Sequence, residues 1–103
     1  MDKFSIAGAL GALTDNSETY KRLLEKTDFD VGMYRPDEIN DQTPHARDEI
    51  YIVASGTGIF YRAGEREKFE PDDVLFVAAH IEHRFEDFSK DFATWVVFIG
   101  EGT

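Results

Sequence analysis

The amino-acid sequence predicts a single all-β domain, and three observations carry that expectation. Roughly seven short runs rich in Val, Ile, Phe and Tyr are separated by Gly, Pro, Asp and Ser clusters that recur about every eight to twelve residues. Only one segment has helical periodicity, which excludes the alternating strand–helix pattern of a parallel sheet. A chain of 103 residues with 42% hydrophobic and 14% aromatic positions supports one core and is too apolar for disorder.

From the N-terminus, the run at 6–13 (IAGALGAL) is apolar but far shorter than the roughly 20 residues of a membrane span. Asp2 cancels Lys3 ahead of it, which reads against a secretory signal, so a cytoplasmic location is expected. At 17–26 (SETYKRLLEK), Tyr20, Leu23 and Leu24 recur at i, i+3 and i+4, so a short helix capped by Ser17 is expected there. This defines an N-terminal extension over 1–27, followed by the β domain over 28–100. Phe29, Val31 and Met33 alternate with Asp30, Gly32 and Tyr34 until Arg35-Pro36-Asp37 breaks the strand. The run 49–54 (EIYIVA) is nearly all apolar after its glutamate, as in a strand covered on both faces. Turns at 55–58 and 63–65 flank IFYR, a short strand at 68–70 precedes Pro71-Asp72-Asp73, and VLFVAA, HRFEDF and TWVVFI complete the set.

Composition removes several classes of function. Without cysteine there is no disulfide framework, thiol chemistry or thiolate zinc site. Twenty-one acidic against eleven basic residues, a net charge of −10, exclude a nucleic-acid or anionic-membrane partner, either of which needs clustered positive charge. A small-molecule ligand is the expected partner.

All three histidines stand at strand beginnings. His45 and Glu49 are four apart, so an extended segment places both on one face, with Arg47 and Tyr51 sharing that parity. His83 opens a later strand. Two imidazoles and one carboxylate converging from different strands would bind a first-row divalent ion and leave coordination positions open. Spacing alone leaves a second reading: His45 and Glu49 as a surface pair, and His83 as a partly buried histidine.

The residues around these positions resemble the two motifs of the cupin superfamily. In TPHARDEIYIVASG, His45 stands at the second histidine of the first motif, Glu49 follows with three residues between, and Gly56 comes after six more. Thr43 occupies the first-histidine position and Asp37 the leading glycine. In DDVLFVAAHIEHRFED, His83 stands at the ligand position, while Asp72, Ala78, His80 and Asp87 replace glycine, proline, glycine and asparagine. The resemblance implies a cupin double-stranded β-helix, a jelly-roll barrel with a short N-terminal helical segment and its motif residues in the mouth. It implies a divalent ion (Fe, Zn, Ni or Mn) on His45, Glu49 and His83, a three-ligand version because Thr43 is at best a weak neutral donor. His80 is read either as a fourth ligand or acid–base group, or as a rim histidine.

Around this set, Arg47 is either a fixed inward cation for a substrate carboxylate or a surface arginine paired with Asp48 or Glu82. Tyr51 supplies a hydroxyl to the pocket or belongs to the core. Phe85 and Trp95, with Phe76 or Phe98, wall an apolar cavity or are plain core. The acidic tract over 65–73 reads as a solvated turn region. Ile50 and Ile52 point outward, which together with the apolar N-terminal run predicts a homodimer. The resemblance implies a metal-dependent enzyme of dioxygenase, isomerase or lyase type acting on a small organic acid, sugar or carbonyl compound; the alternative is a non-catalytic binding or sensing domain.

Overall fold

The computed structural model describes residues 3–16, 19–36 and 45–100. One helix and eight strands follow in order: α1 (Ile6–Asn16), β1 (Tyr20–Glu25), β2 (Phe29–Tyr34), β3 (Asp48–Ser55), β4 (Gly58–Arg62), β5 (Glu65–Phe69), β6 (Val74–Val77), β7 (His83–Glu86) and β8 (Ala93–Ile99). Five strands form one sheet in the order β1-β2-β8-β3-β6, and three form the other in the order β5-β4-β7. Every pairing is antiparallel, and the two sheets face each other as a jelly roll. No helix among the described residues is long and apolar enough to cross a membrane.

Strand alternation decides what the barrel encloses. On β3, Glu49, Tyr51 and Val53 are buried, opposite Phe98, Val96 and Thr94 of β8. With Phe60, Phe69, Val77, Phe85 and Phe92 they build a core dominated by aromatic rings. Phe85 is its hub, with Phe92, Tyr51 and Phe60 at centroid distances of 4.8, 4.9 and 5.1 Å. It forms the packed floor of the barrel beneath the site.

Three expectations are corrected. The helix anticipated over 17–26 lies earlier, at Ile6–Asn16, and Tyr20–Glu25 is an edge strand. The register slips between Arg22 and Leu24, a bulge that turns both Leu23 and Leu24 away from the barrel interior and so imitates a helical stripe in the sequence. The cap is Ser5, whose Oγ accepts the Gly8 N–H at 3.1 Å, while Ser17 lies outside the described residues. Phe76 points outward, 47% exposed, away from the aromatic core. Trp95 also lies on the outer face, against Ala9, Leu13, Met33 and Ala93 beneath α1.

The outer face of β3 is therefore only half covered. Helix α1 shields the β2–β8 end, and Ile52, Val74 and Phe76 remain open to solvent toward β6.

Two glycines differ in what they require. Gly56 has φ of 83°, and a Cβ there would stand 2.5 Å from the Phe92 Cα. Gly64 has φ of 89° but nothing within 4 Å of such an atom. Gly64→Ala should cost about 1 kcal/mol, the conformational term alone, and Gly56→Ala at least twice that because backbone must move. Urea denaturation of both variants checks this; equal midpoints would contradict it.

Candidate functional site

The site forms where the segment entering β3 meets the turn between β6 and β7. Two hydrogen bonds join them: the His80 N–H donates to the His45 carbonyl at 2.7 Å, and the Ala79 N–H to Asp48 Oδ1 at 2.8 Å. The turn needs a left-handed residue, and His80 supplies it with φ of 67°. Asp72 and Asp87 are also left-handed, at 76° and 48°. At positions 72 and 80 the backbone thus keeps a glycine-like conformation in residues that tolerate it better than most. The His80 side chain is solvent-exposed and stands outside the cluster; its contribution runs through its backbone.

That fastening brings His45, Glu49 and His83 together, with one donor atom of each within 4.8 Å of the others. Glu49 Oε1 lies 3.5 Å from His45 Nε2 and 3.4 Å from His83 Nε2. Glu49 is 1% exposed, and neither of its carboxylate oxygens finds a hydrogen-bond partner. Burial pushes its pKa up to about 7, with the nearby Tyr51 hydroxyl and the Arg47 charge pulling the other way. Burial lowers both imidazoles, assisted at His45 by His83 and Arg47 and opposed at His83 by the Ile81 carbonyl.

The tautomer of His83 follows from its neighbours. Its Nδ1 lies 2.9 Å from the Ile81 carbonyl, which only accepts, so Nδ1 carries the proton and Nε2 presents a lone pair. The Tyr51 hydroxyl, 3.1 Å away, donates to that lone pair. The Nε2 lone pair and the Glu49 oxygen thus face each other with no proton between them, an arrangement that costs energy unless the carboxyl is protonated or a cation stands between. The donor set fits such a cation. Two ligands bound at about 2.1 Å with a tetrahedral angle stand about 3.4 Å apart, as Glu49 Oε1 does from each imidazole Nε2, while the three donor atoms lie within 4.8 Å of one another. Thr43, at the fourth position of the sequence pattern, lies outside the described residues.

Arg47 takes neither partner expected for it on the surface. Its Nη2 donates to Asp30 Oδ2 at 2.9 Å, and its guanidinium lies 4.8 Å over the Phe98 ring, whose centroid is 5.2 Å from that of His45. Asp30 was not singled out in the sequence, although a lone acid at an inward position of an apolar strand signals a buried partner.

A family model described as "Cupin domain" matches residues 31–99. An uncharacterized protein of Streptomyces coelicolor is 33% identical over 85 residues, which is 81% of each chain. Among solved structures, KdgF from Halomonas sp. superposes with a TM-score of 0.70 at 19% identity, covering 80% of this chain and 77% of its own. A predicted oxalate decarboxylase from Thermotoga maritima gives 0.61 at 22% identity, covering 79% and 78%. At these identities the solved structures show the fold.

The raised Glu49 pKa has a pH signature in metal-free protein. A carboxyl at about 7 when folded and 4.5 when unfolded stabilises the fold below pH 4.5 and loses that contribution as pH rises through 7. The two lowered histidines act oppositely, losing stability as pH falls below 6.5, so the difference between wild type and Glu49→Gln isolates the carboxyl. From pH 5 to pH 8, metal-free Glu49→Gln should gain up to about 3 kcal/mol relative to wild type. Urea titrations at both pH values measure this, and a pH-independent difference would contradict it.

Proposed function

The chain belongs to the cupin family, and on that premise we propose that it binds a divalent metal ion through His45, Glu49 and His83 and uses it as an enzyme on a small organic acid, sugar or carbonyl compound. The observation that carries this reading is the buried Glu49 carboxylate, without a hydrogen bond and facing an imidazole lone pair 3.4 Å away. Folding alone gives no return for that arrangement, since an apolar residue would fill the space at lower cost.

When bound, a divalent ion would polarise a substrate oxygen or lower the pKa of a bound water. The chain's own residues set the surroundings. Hydrogen bonding to Ile81 holds His83 in the ligating tautomer. Tyr51, buried beneath the triad, holds a proton on its hydroxyl at the lone pair that a metal would take. The same hydroxyl acts on the Glu49 carboxyl, which places its proton at the edge of the triad, the position of a general acid. Phe60, Phe85 and Val96 close the barrel below and keep bulk water from reaching the triad from that side.

The exposed Ile52, Val74 and Phe76 support a homodimer built on this half of the sheet. Analytical ultracentrifugation should find a dimer, and Phe76→Asp a monomer with the wild-type circular dichroism spectrum. A monomeric wild type would contradict the assignment.

Metal analysis of untagged protein tests the central proposal. Elemental analysis after dialysis against zinc or manganese should return about one ion per chain, with a melting temperature raised by the added metal. The double variant His45→Ala/His83→Ala should retain none and show no such rise, whereas His80→Ala should bind as wild type does. Equal metal content in wild type and the double variant would overturn it. A metal-free wild type that binds small ligands would favour a sensing domain instead.

A further inference from the structure

Beside the triad, on the β1–β2 side of the barrel mouth, lies a second polar group that metal binding does not explain. Asp30 points inward from β2 opposite Phe98 and is buried. It holds Arg47 at 2.9 Å and Arg22 at 3.6 Å, the Arg47 side chain being 16% exposed. Arg22 also pairs with Glu25 at the exposed rim, where solvent screens the contact. With Glu25 counted, the two guanidiniums and two carboxylates balance, and Arg47 is the one guanidinium of the set that lies mostly buried, with Asp30 engaging one of its nitrogens. The Tyr20 hydroxyl is buried nearby beside the Arg22 guanidinium, its ring edge-on to Phe98. It occupies space that only a glycine leaves, since a Cβ on Gly32 would stand 2.4 Å from it.

A buried arginine fixed by one carboxylate oxygen costs desolvation and contributes little net stability. That cost makes sense if a further acceptor completes the donor set of Arg47. Arg47 is stacked on Phe98, and Phe98 touches His45, so one aromatic ring separates the guanidinium from the triad.

We infer that Arg47, fixed by Asp30 and stacked on Phe98, is the anchor for the carboxylate of a small monoanionic substrate whose oxygen-bearing carbon then lies at the His45–Glu49–His83 triad. Arg47 binds substrate through the donors that Asp30 does not take, and Tyr20 adds a neutral donor on the same side. Asp30 is a positioning residue: it sets the plane of the guanidinium and never touches substrate. The substrate class is a short 2-oxo or 2-hydroxy acid. The chain's overall charge repels anions at long range, so the tier acts at contact distance.

The inference rests on the metal reading only for the second end of the substrate, and the test separates the two. Pyruvate and its neutral counterpart pyruvamide are titrated by NMR into metal-free and zinc-loaded protein. Wild type should bind pyruvate in both states, more tightly with zinc, and prefer it to pyruvamide. Because Arg47→Met alone strands Asp30 in the interior, the variant is Arg47→Met/Asp30→Asn, with folding checked by its amide spectrum. It should retain about one zinc ion and lose pyruvate affinity by roughly tenfold or more, while pyruvamide is unaffected. Asp30→Asn alone should reduce the pyruvate-to-pyruvamide preference without abolishing it, a readout that a purely structural role would not move. Equal affinity of wild type for the two probes, or an unchanged preference in the double variant, would overturn the inference while leaving the metal site standing. A wild type that binds no zinc would remove the metal reading, and Arg47 is then judged by the metal-free titration.

Discussion

A carboxylate without a hydrogen bond, sealed inside a barrel of aromatic rings, is the constraint around which the structure is organised. Water would solvate Glu49 far better than its surroundings do, and burial accordingly lifts its pKa to about 7. Its nearest polar neighbours, His45 Nε2 and His83 Nε2, are themselves held toward the neutral form by desolvation. Three groups that would each prefer water are thus gathered in one place, where a proton on Glu49 relieves the carboxyl and a divalent cation would engage all three.

The scaffold supplies what that gathering needs. Alternation along β3 puts Glu49 and Tyr51 inside, and antiparallel pairing with β8 sets Phe98 and Val96 against them. The β6–β7 turn is fastened to the segment before β3 through the His80 and Ala79 amides, which carries His83 to Glu49 across 34 positions of chain. Phe85, two residues after His83 on the same face, anchors the other end of β7 in the core. Glu49 and His83 come from strands whose positions the packing fixes, and His45 from the segment just ahead of β3, held there by the His80 amide.

Much of this was legible in the sequence for simple physical reasons. A period of two is hard to disguise, so the strands of the β domain declare themselves; His45 meets Glu49 from the bent segment ahead of β3, where that period does not reach. The bulge at Arg22–Leu24 defeated that logic in β1, because one extra residue converts an alternating pattern into a stripe that a helix would also show. Phe76 and Trp95 were misplaced for a related reason. On a strand with apolar residues on both faces, composition does not say which face is the core, and the cover supplied by α1 is a tertiary fact. Asp30 was unread because its importance lies in its partners: Arg47 reaches it across 17 positions. His80 was visible as an irregular member of its motif, and its left-handed backbone accounts for the position without any ligating role.

The most direct measurement of an ion shared by these three side chains is anomalous diffraction at the metal edge from crystals grown with zinc or manganese. A single peak within about 2.3 Å of His45 Nε2, His83 Nε2 and one Glu49 oxygen is expected. A peak elsewhere, or none, with the Glu49 carboxyl still lacking any partner, would contradict it.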